Sequence, residues 1–396
     1  MNNRNRHPSP EDDQPAPTSA ALGDPRIWVL ASYRAGENRQ ITGLADNLGL
    51  PWEHRRLHYR PRASGFGLLR QVSADGIDRA ASDPLQAPWP DLVISAGLRN
   101  EPVARWIRER SGGRTRLVFI GRTWLPPDHL DLLVTTPQYR IPEHPRVLHN
   151  LLTLHDLTPE FLARARERWM PHFAPLPRPW IGVLLGGPSG PFALGVNAAA
   201  RLAAALDDLR AGRGGTILGT GSPRTPTAAL DVLESGIRKP ALLHRWRPDD
   251  PDNPYLGILA CADELVITGD SVSMLSEAAA TGAPVRIFPL PDRGSTDTRP
   301  RTLLYRLLMR WGPTRASRDV GLFHRAYVGA GLGTLLDGRA DADTVGAGTG
   351  PQIARREMQR TVEAVRALLG LPPESRATPT VPSWREPEAA VREVSR

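Results

Sequence analysis

With 396 residues, of which 40% are hydrophobic and 23% charged, the chain has room for two domains with sizeable cores and the balance of a soluble globular protein. Its 36 glycines and 40 prolines exclude a coiled coil or an all-helical bundle, and a single cysteine, Cys261, excludes a disulfide framework and thiolate metal clusters, so a reducing, cytoplasmic setting is the default expectation. The formal net charge is +8 with Lys239 the sole lysine, so the positive charge is carried by arginine, whose planar fork suits phosphate and carboxylate, although GC-rich codon usage gives the same bias.

Residues 1–25 lack an apolar signal core, carry Glu11, Asp12 and Asp13, and are predicted to be a disordered tail. No stretch approaches about 18 uninterrupted apolar residues, so no transmembrane helix is expected. From Ile27 short apolar runs alternate with helical periodicity, the pattern of βαβ units around a parallel sheet. Strands are predicted at Ile27–Ala31, Leu92–Ser95, Leu117–Ile120 and Leu132–Thr135. Arg34–Arg39 is read as a polar loop, followed by a helix over Gln40–Leu48 with Ile41, Leu44, Ala45 and Leu48 on one face, and a second helix covers Pro102–Arg110. A helix from Thr158 to Arg168 closes this first domain, assigned to 26–170. Four prolines within Met170–Pro179 mark a linker, 171–179.

A second domain, 180–350, repeats the arrangement. It is predicted to contain strand Ile181–Leu185, Gly-rich loop Gly186–Gly190, helix Leu194–Leu209, strand Thr216–Leu218, helix Thr227–Leu233 and strand Ala241–His244. Helix Tyr255–Cys261, strand Leu265–Thr268, helix Val272–Thr281 and strand Val285–Phe288 follow. Arg299–Trp311 reads as a basic amphipathic helix, Gly329–Gly350 as loop, 351–370 as a terminal helix and 371–396 as a second disordered tail.

The most informative segment is Thr268-Gly269-Asp270-Ser271-Val272-Ser273-Met274-Leu275-Ser276-Glu277-Ala278, which leaves a buried strand and enters a helix. Open α/β sheets bind ligands beyond the carboxyl ends of their strands, where a helix start offers free N–H donors to phosphate. Asp270, Ser273 and Glu277 share one helix face, and Glu277 has the reach to accept from vicinal ribose hydroxyls; a capping Asp or Ser with a solvated Glu fits the same letters. Gly-Asp-Ser also occurs in hydrolases, but a G-x-S-x-G elbow is absent, which argues against acyl hydrolysis. Gly187 and Ser189 of the Gly-rich loop, and Ser222, Arg224 and Thr225 after the next strand, are candidate diphosphate contacts, with a plain tight turn as the alternative. Gly219-x-Gly221 meets Arg224 where a dinucleotide fingerprint needs its third glycine, which argues against a dehydrogenase. In the first domain Arg34, Gly36, Asn38 and Gln40 are candidate acceptor contacts, with Gly97-Leu98-Arg99-Asn100-Glu101 in the corresponding place after another strand. Asp250-Pro251-Asp252 and Asp341-Ala342-Asp343 lack a flanking apolar strand, and His144, His149 and His155 lack paired ligand spacing, so no metal site is expected.

The segments Gly36-Glu37-Asn38-Arg39-Gln40, Gly186-Gly187-Pro188-Ser189, Thr220-Gly221-Ser222-Pro223-Arg224-Thr225-Pro226 and Thr268–Ala278 resemble, in that order, the plant elongated-mitochondria (mitochondrial fission) family and its bacterial relatives, over roughly Ile27 to Phe323. The last motif, running on through Gly282-Ala283-Pro284-Val285, is the most specific; Pro223 departs from the commoner double-arginine form of the third. The resemblance implies an α/β, GT-B-like fold of two facing Rossmann-like domains, with the nucleotide sugar held mainly by the second. It places the phosphates near Gly187, Ser189, Ser222, Arg224 and Ser271–Ser273, with Glu277 as ribose ligand.

The expected activity is metal-independent transfer of a sugar from a nucleotide diphosphate donor, with no cofactor, to an acceptor such as a membrane-associated glycolipid at the inner membrane face. His155 and Glu37 are the candidate general bases. Competing readings are a non-catalytic adaptor at a membrane, implied by the plant members' role in fission, and a sugar-nucleotide epimerase. Nucleic acid is not an expected partner, because the arginines are scattered without an aromatic platform, and oligomeric state has no signature in the sequence.

Overall fold

A computed structural model describes residues 24–32, 34–60, 71–188, 192, 194–290, 318–336 and 348–373. The tails predicted at 1–25 and 371–396 fall almost entirely outside these residues, as do Ser189 and the Arg299–Trp311 helix.

The first sheet contains β1 (Ile27–Leu30), β2 (Trp52–Arg55), β3 (Leu92–Ala96), β4 (Arg116–Ile120), β5 (Leu132–Thr135) and β6 (Val147–His149), in the order β2-β1-β3-β4-β5-β6. All neighbours are parallel. Apart from the exposed Arg116 that opens β4, the central strands are largely apolar and buried along their length, as expected where helices cover both faces of a parallel sheet. Helix α1 (Ala35–Asn47) covers one face through Ile41, Leu44, Ala45 and Leu48, all fully buried, and α2 (Asn100–Arg110) covers the other through Val103, Ala104 and Ile107.

The second sheet, β12-β11-β10-β7-β8-β9, is parallel throughout. Its strands are β7 (Trp180–Leu184), β8 (Thr216–Thr220), β9 (Ala241–His244), β10 (Glu264–Thr268), β11 (Val285–Phe288) and β12 (Thr334–Leu335). Read outward from β7, this is the doubly wound order in which strand sequence reverses between β7 and β10; in the first sheet the reversal lies between β1 and β3. Helices α4 (Val196–Arg210) and α5 (Thr227–Gly236) pack on one face, and α6 (Tyr255–Cys261) and α7 (Val272–Ala279) on the other, with α3 (Pro159–Phe173) against α6. Two facing Rossmann-like sheets, the GT-B-like arrangement, are thus the architecture.

Helix α8 (Val320–Gly329) supports α7, with the Tyr327 hydroxyl donating to the Leu275 carbonyl at 3.0 Å. Helix α9 (Gly350–Leu368) follows the second sheet but returns to the first, where Val362 and Val365 enter the β1–β5 core. There Glu357 accepts from the amides of Leu151 and Leu152 at 2.5 and 2.9 Å, fixing the segment that leads out of the first sheet. The chain therefore crosses between the halves twice.

Several expectations are corrected. The Arg34–Arg39 loop is largely the first turn of α1, because Asn38 folds back on Ser32, accepting from its amide at 2.6 Å and donating to its carbonyl at 2.8 Å. The start of the 171–179 linker is the last turn of α3, which runs on to Phe173 although Pro171 has no N–H for the carbonyl four residues before it, and Trp169 stacks on Phe173 there. Within the Gly329–Gly350 loop, Thr334–Leu335 adds a sixth strand to β11. Strands β2 and β6 and helix α8 have no counterpart in the sequence reading.

Candidate functional site

The two sheets meet carboxyl end to carboxyl end. The turn after β1 and the turn after β10 touch: a Cβ on Gly36 would lie 3.3 Å from Ser273 Oγ. Nearby, Ser276 Oγ accepts from the Thr153 amide at 3.0 Å. Both reversal points of strand order therefore open toward one interdomain region, the place where open α/β sheets bind ligands.

At the second-sheet reversal the packing is close. Asp270 is 1% exposed and accepts from the Gly187 amide at 2.8 Å, while the Gly186 amide donates to Thr268 Oγ1 at 2.7 Å. A Cβ on Gly186 would lie 2.1 Å from Asp270 Oδ2, and one on Gly187 2.1 Å from the Arg224 carbonyl oxygen, so the approach requires glycine at both positions. Burial raises the Asp270 carboxyl above the ordinary aspartate value, against the Gly187 amide, Thr268 and Arg224. The Thr225 hydroxyl ties the β8 loop to the β7 loop, accepting from the Ser222 amide at 2.8 Å and lying 2.5 Å from the Gly186 carbonyl oxygen. Arg224 donates to the Pro188 carbonyl at 3.2 Å and reaches to 3.8 Å from Asp270 Oδ2. Arg318 approaches the same turn from the start of α8, 3.4 Å from the Asp270 carbonyl oxygen.

One and a half turns into α7, the Glu277 side chain is 6% exposed and holds two partners. Tyr255 donates its hydroxyl at 2.5 Å, and Arg39, from α1 of the first half, pairs at 3.3 Å while lying over the Tyr255 ring. Burial and then the Glu277 charge push the Tyr255 phenol well above its ordinary value, so it stays a donor. Burial holds His155 below the ordinary histidine value despite Glu277 and Asp156, so its imidazole is neutral at pH 7. Asp270, Ser273 and Glu277, one face in the sequence reading, thus have separate surroundings: Gly187 for the first, Gly36 for the second, Tyr255 and Arg39 for the third.

At the first-sheet reversal a cleft opens, lined by Arg34, Glu37 and Gln40 of the α1 start, Gly97 and Leu98 after β3, and Gly121 and Arg122 after β4. Thr136 and Tyr139 after β5, the Leu152, Thr153 and Leu154 stretch, and Arg318 from the second half also line it. Glu37 accepts from the Ser32 hydroxyl and from Arg34, the latter at 3.2 Å. Gln40 donates to the Gly36 carbonyl at 3.2 Å. Of the candidate acceptor contacts, Arg34 and Gln40 line the cleft, Gly36 meets Ser273, and Asn38 is spent on Ser32. Glu37 lines the cleft; His155 does not.

Sequence reasoning missed Arg122, Arg318 and Tyr255. The Gly121-Arg122 pair follows a buried strand as Gly97-Leu98 does, so that pattern was a usable signal; for Arg318 and Tyr255 no local signal exists. Among the described residues no group of three His, Cys, Asp or Glu side chains could hold a metal ion. Asp250 of the first D-x-D is engaged by His244 at 2.9 Å and Arg247 at 3.2 Å; Asp341 and Asp343 lie outside the described residues.

Comparison with known proteins places this geometry in a family. The chain is 28% identical over 248 residues to the mitochondrial fission protein ELM1 of Arabidopsis thaliana, a match spanning 56% of this chain and 57% of that protein. It is 26% identical over 304 residues to an uncharacterised protein of Rickettsia prowazekii, covering 68% of this chain and 84% of that one. Among solved structures it is similar to the glycosyltransferase SnogD from Streptomyces nogalater, with 15% identity, a TM-score of 0.47, and coverage of 88% of this chain and 99% of that one. The sequence profile described as mitochondrial fission ELM1 matches residues 35–310, well over half of the sequence, and the chain belongs to that family.

Proposed function

We propose that this chain is a metal-independent glycosyltransferase that holds a nucleotide diphosphate sugar at the second-sheet reversal and its acceptor in the first-sheet cleft. The observation that carries the reading is the convergence of two guanidiniums, Arg224 and Arg318, on the Asp270 turn at the start of α7, at 3.8 and 3.4 Å. A diphosphate seated there would meet both cations and the free amides of the α7 start. Those groups favour the charge that grows on the diphosphate as the sugar's anomeric C–O bond breaks, which is where stabilisation accelerates transfer. Gly187, Ser222 and Ser271 border the same turn, and Glu277 would accept from ribose hydroxyls in exchange for Arg39. The acceptor hydroxyl forms the new glycosidic bond and gives its proton to Glu37, the candidate base that lines the cleft.

A thermal-shift panel of nucleoside diphosphates and their sugar conjugates tests this reading. Ligand at a hundred times its dissociation constant stabilises the native state by about 2.7 kcal/mol. A selective shift that disappears in Arg224→Ala is expected; no shift from any nucleotide, in folded protein, overturns it.

A second reading, a membrane adaptor that binds a nucleotide without turning it over, draws support from the Glu277 carboxylate, which already ties the two halves together through Arg39. On that reading nucleotide binding alters the relation of the halves and no sugar is transferred. Product analysis with donor and candidate acceptors separates the two, and donor altered in the absence of acceptor would point instead to epimerase chemistry.

A further inference from the structure

We propose that the first-sheet cleft is a second anion subsite, which takes a phosphoryl group carried by the acceptor between Arg34, Arg122 and Arg318. The inference deepens the transferase reading and rests on it for the word acceptor; the anion subsite itself does not. Among the described residues, three guanidiniums and a single carboxylate, Glu37, supply the charged side chains of the cleft, and Arg34 lies 3.2 Å from that carboxylate. The remaining wall is neutral and shaped for close approach. Gly97 and Gly121 end adjacent strands with φ of 83° and 98°, a left-handed conformation that side chains resist, and the Tyr139 ring lies against Gly121. Arginine at such a position pairs two N–H donors with two phosphate oxygens, which a neutral sugar hydroxyl cannot match.

Arg318 gives the cleft its relation to the donor site. It reaches the Asp270 carbonyl on one side and lines the first-sheet cleft on the other, held there by the Asp319 amide, which donates to the Gln138 carbonyl at 2.7 Å. One cation thus stands between the two proposed phosphate positions, close enough for a diphosphate and a phosphorylated acceptor to share it. A phosphate at this position would place the rest of the acceptor beside Glu37.

The phosphoryl group could belong to a soluble phosphomonoester or to a lipid headgroup, and the test has an arm for each. Binding of glycerol 3-phosphate to the full chain is measured by calorimetry in an Arg224→Ala background, which weakens the donor position. Binding to phosphatidylcholine vesicles with and without phosphatidylglycerol is measured by co-sedimentation. Arg122→Gln is expected to weaken one of these ligands by about tenfold or more, with Arg122→Lys intermediate because charge remains while the fork is lost. Nucleotide-induced shifts in Arg122→Gln should match wild type, which also shows that the variant folds. Equal binding of both phosphates by Arg122→Gln and wild type, or no phosphate binding by either, overturns the proposal. Arg122-dependent phosphate binding in a chain that binds no nucleotide would leave this subsite standing and remove the transferase reading.

Discussion

The two halves share a topology and differ in how their strand-order reversals are finished. At the second sheet Gly186, Gly187 and Asp270 close on one another with no room for a methyl group, and a buried carboxylate is satisfied by a backbone amide. At the first sheet the corresponding turns stand apart and leave a cleft rimmed by arginine. The difference teaches that a shared fold fixes where a ligand can lie but not how the place is used. A tightly packed turn offers rigid, pre-aligned donors to a constant chemical group, whereas an open cationic cleft accommodates a variable one.

If this contrast is correct, substitutions at the second reversal should cost far more than substitutions at the first. The largest effect is expected for Gly187→Ala, whose methyl group would meet the Arg224 backbone; overpacking of this kind costs about 1–3 kcal/mol, read as a lowered urea midpoint together with loss of any nucleotide shift. Asp270→Ala should follow, because it leaves the buried Gly187 amide without its acceptor at a cost of about 1–3 kcal/mol, and Asp270→Asn should recover part of that loss. Arg122→Gln, in the open cleft, should lower stability by less than Gly187→Ala does; an effect as large as that of Gly187→Ala would erase the comparison.

The contact between the halves gives a pH-dependent measurement. His155 is held below the ordinary value of 6.5, so the native state binds fewer protons than the unfolded chain and His155 favours folding above that value. Its contribution is lost as pH falls below 6.5, and unfolding curves between pH 7.5 and pH 5.5 should be steeper in pH for wild type than for His155→Gln. His324, also held low by burial against the Gly269 carbonyl, and His54, held low by burial, act in the same direction and contribute to the slope that remains. Arg39→Ala probes the same contact: it removes the cation beside the buried Glu277 carboxylate, which keeps the Tyr255 hydroxyl, so a loss of about 1–3 kcal/mol is expected, and small-angle scattering would report whether the halves move apart.

Much of the fold is legible in the sequence because parallel strands buried on both faces are largely apolar. Leu92–Ala96 and Leu132–Thr135 therefore stand out against their flanks. Strands β2, with Trp-Glu-His-Arg, and β12, with only Thr-Leu, lie at sheet edges, half covered and short, and edge strands need no such run. The glycine and Asp270 turns of the second reversal were equally legible, since they are contiguous stretches whose residue types answer to local backbone constraints.

The sequence by itself determined two parallel sheets, their order along the chain and the loops that end their strands, because hydrophobic burial and turn chemistry act between near neighbours. Tertiary structure alone decided what faces those loops. Arg39 meets Glu277 across 238 residues of sequence, and Arg318 comes to stand between the two reversals. α9 turns back to seat Glu357 against the amides of Leu151 and Leu152. Contacts of that range depend on how two rigid sheets pack together, and no periodicity or spacing in the chain encodes the partner of a long polar side chain.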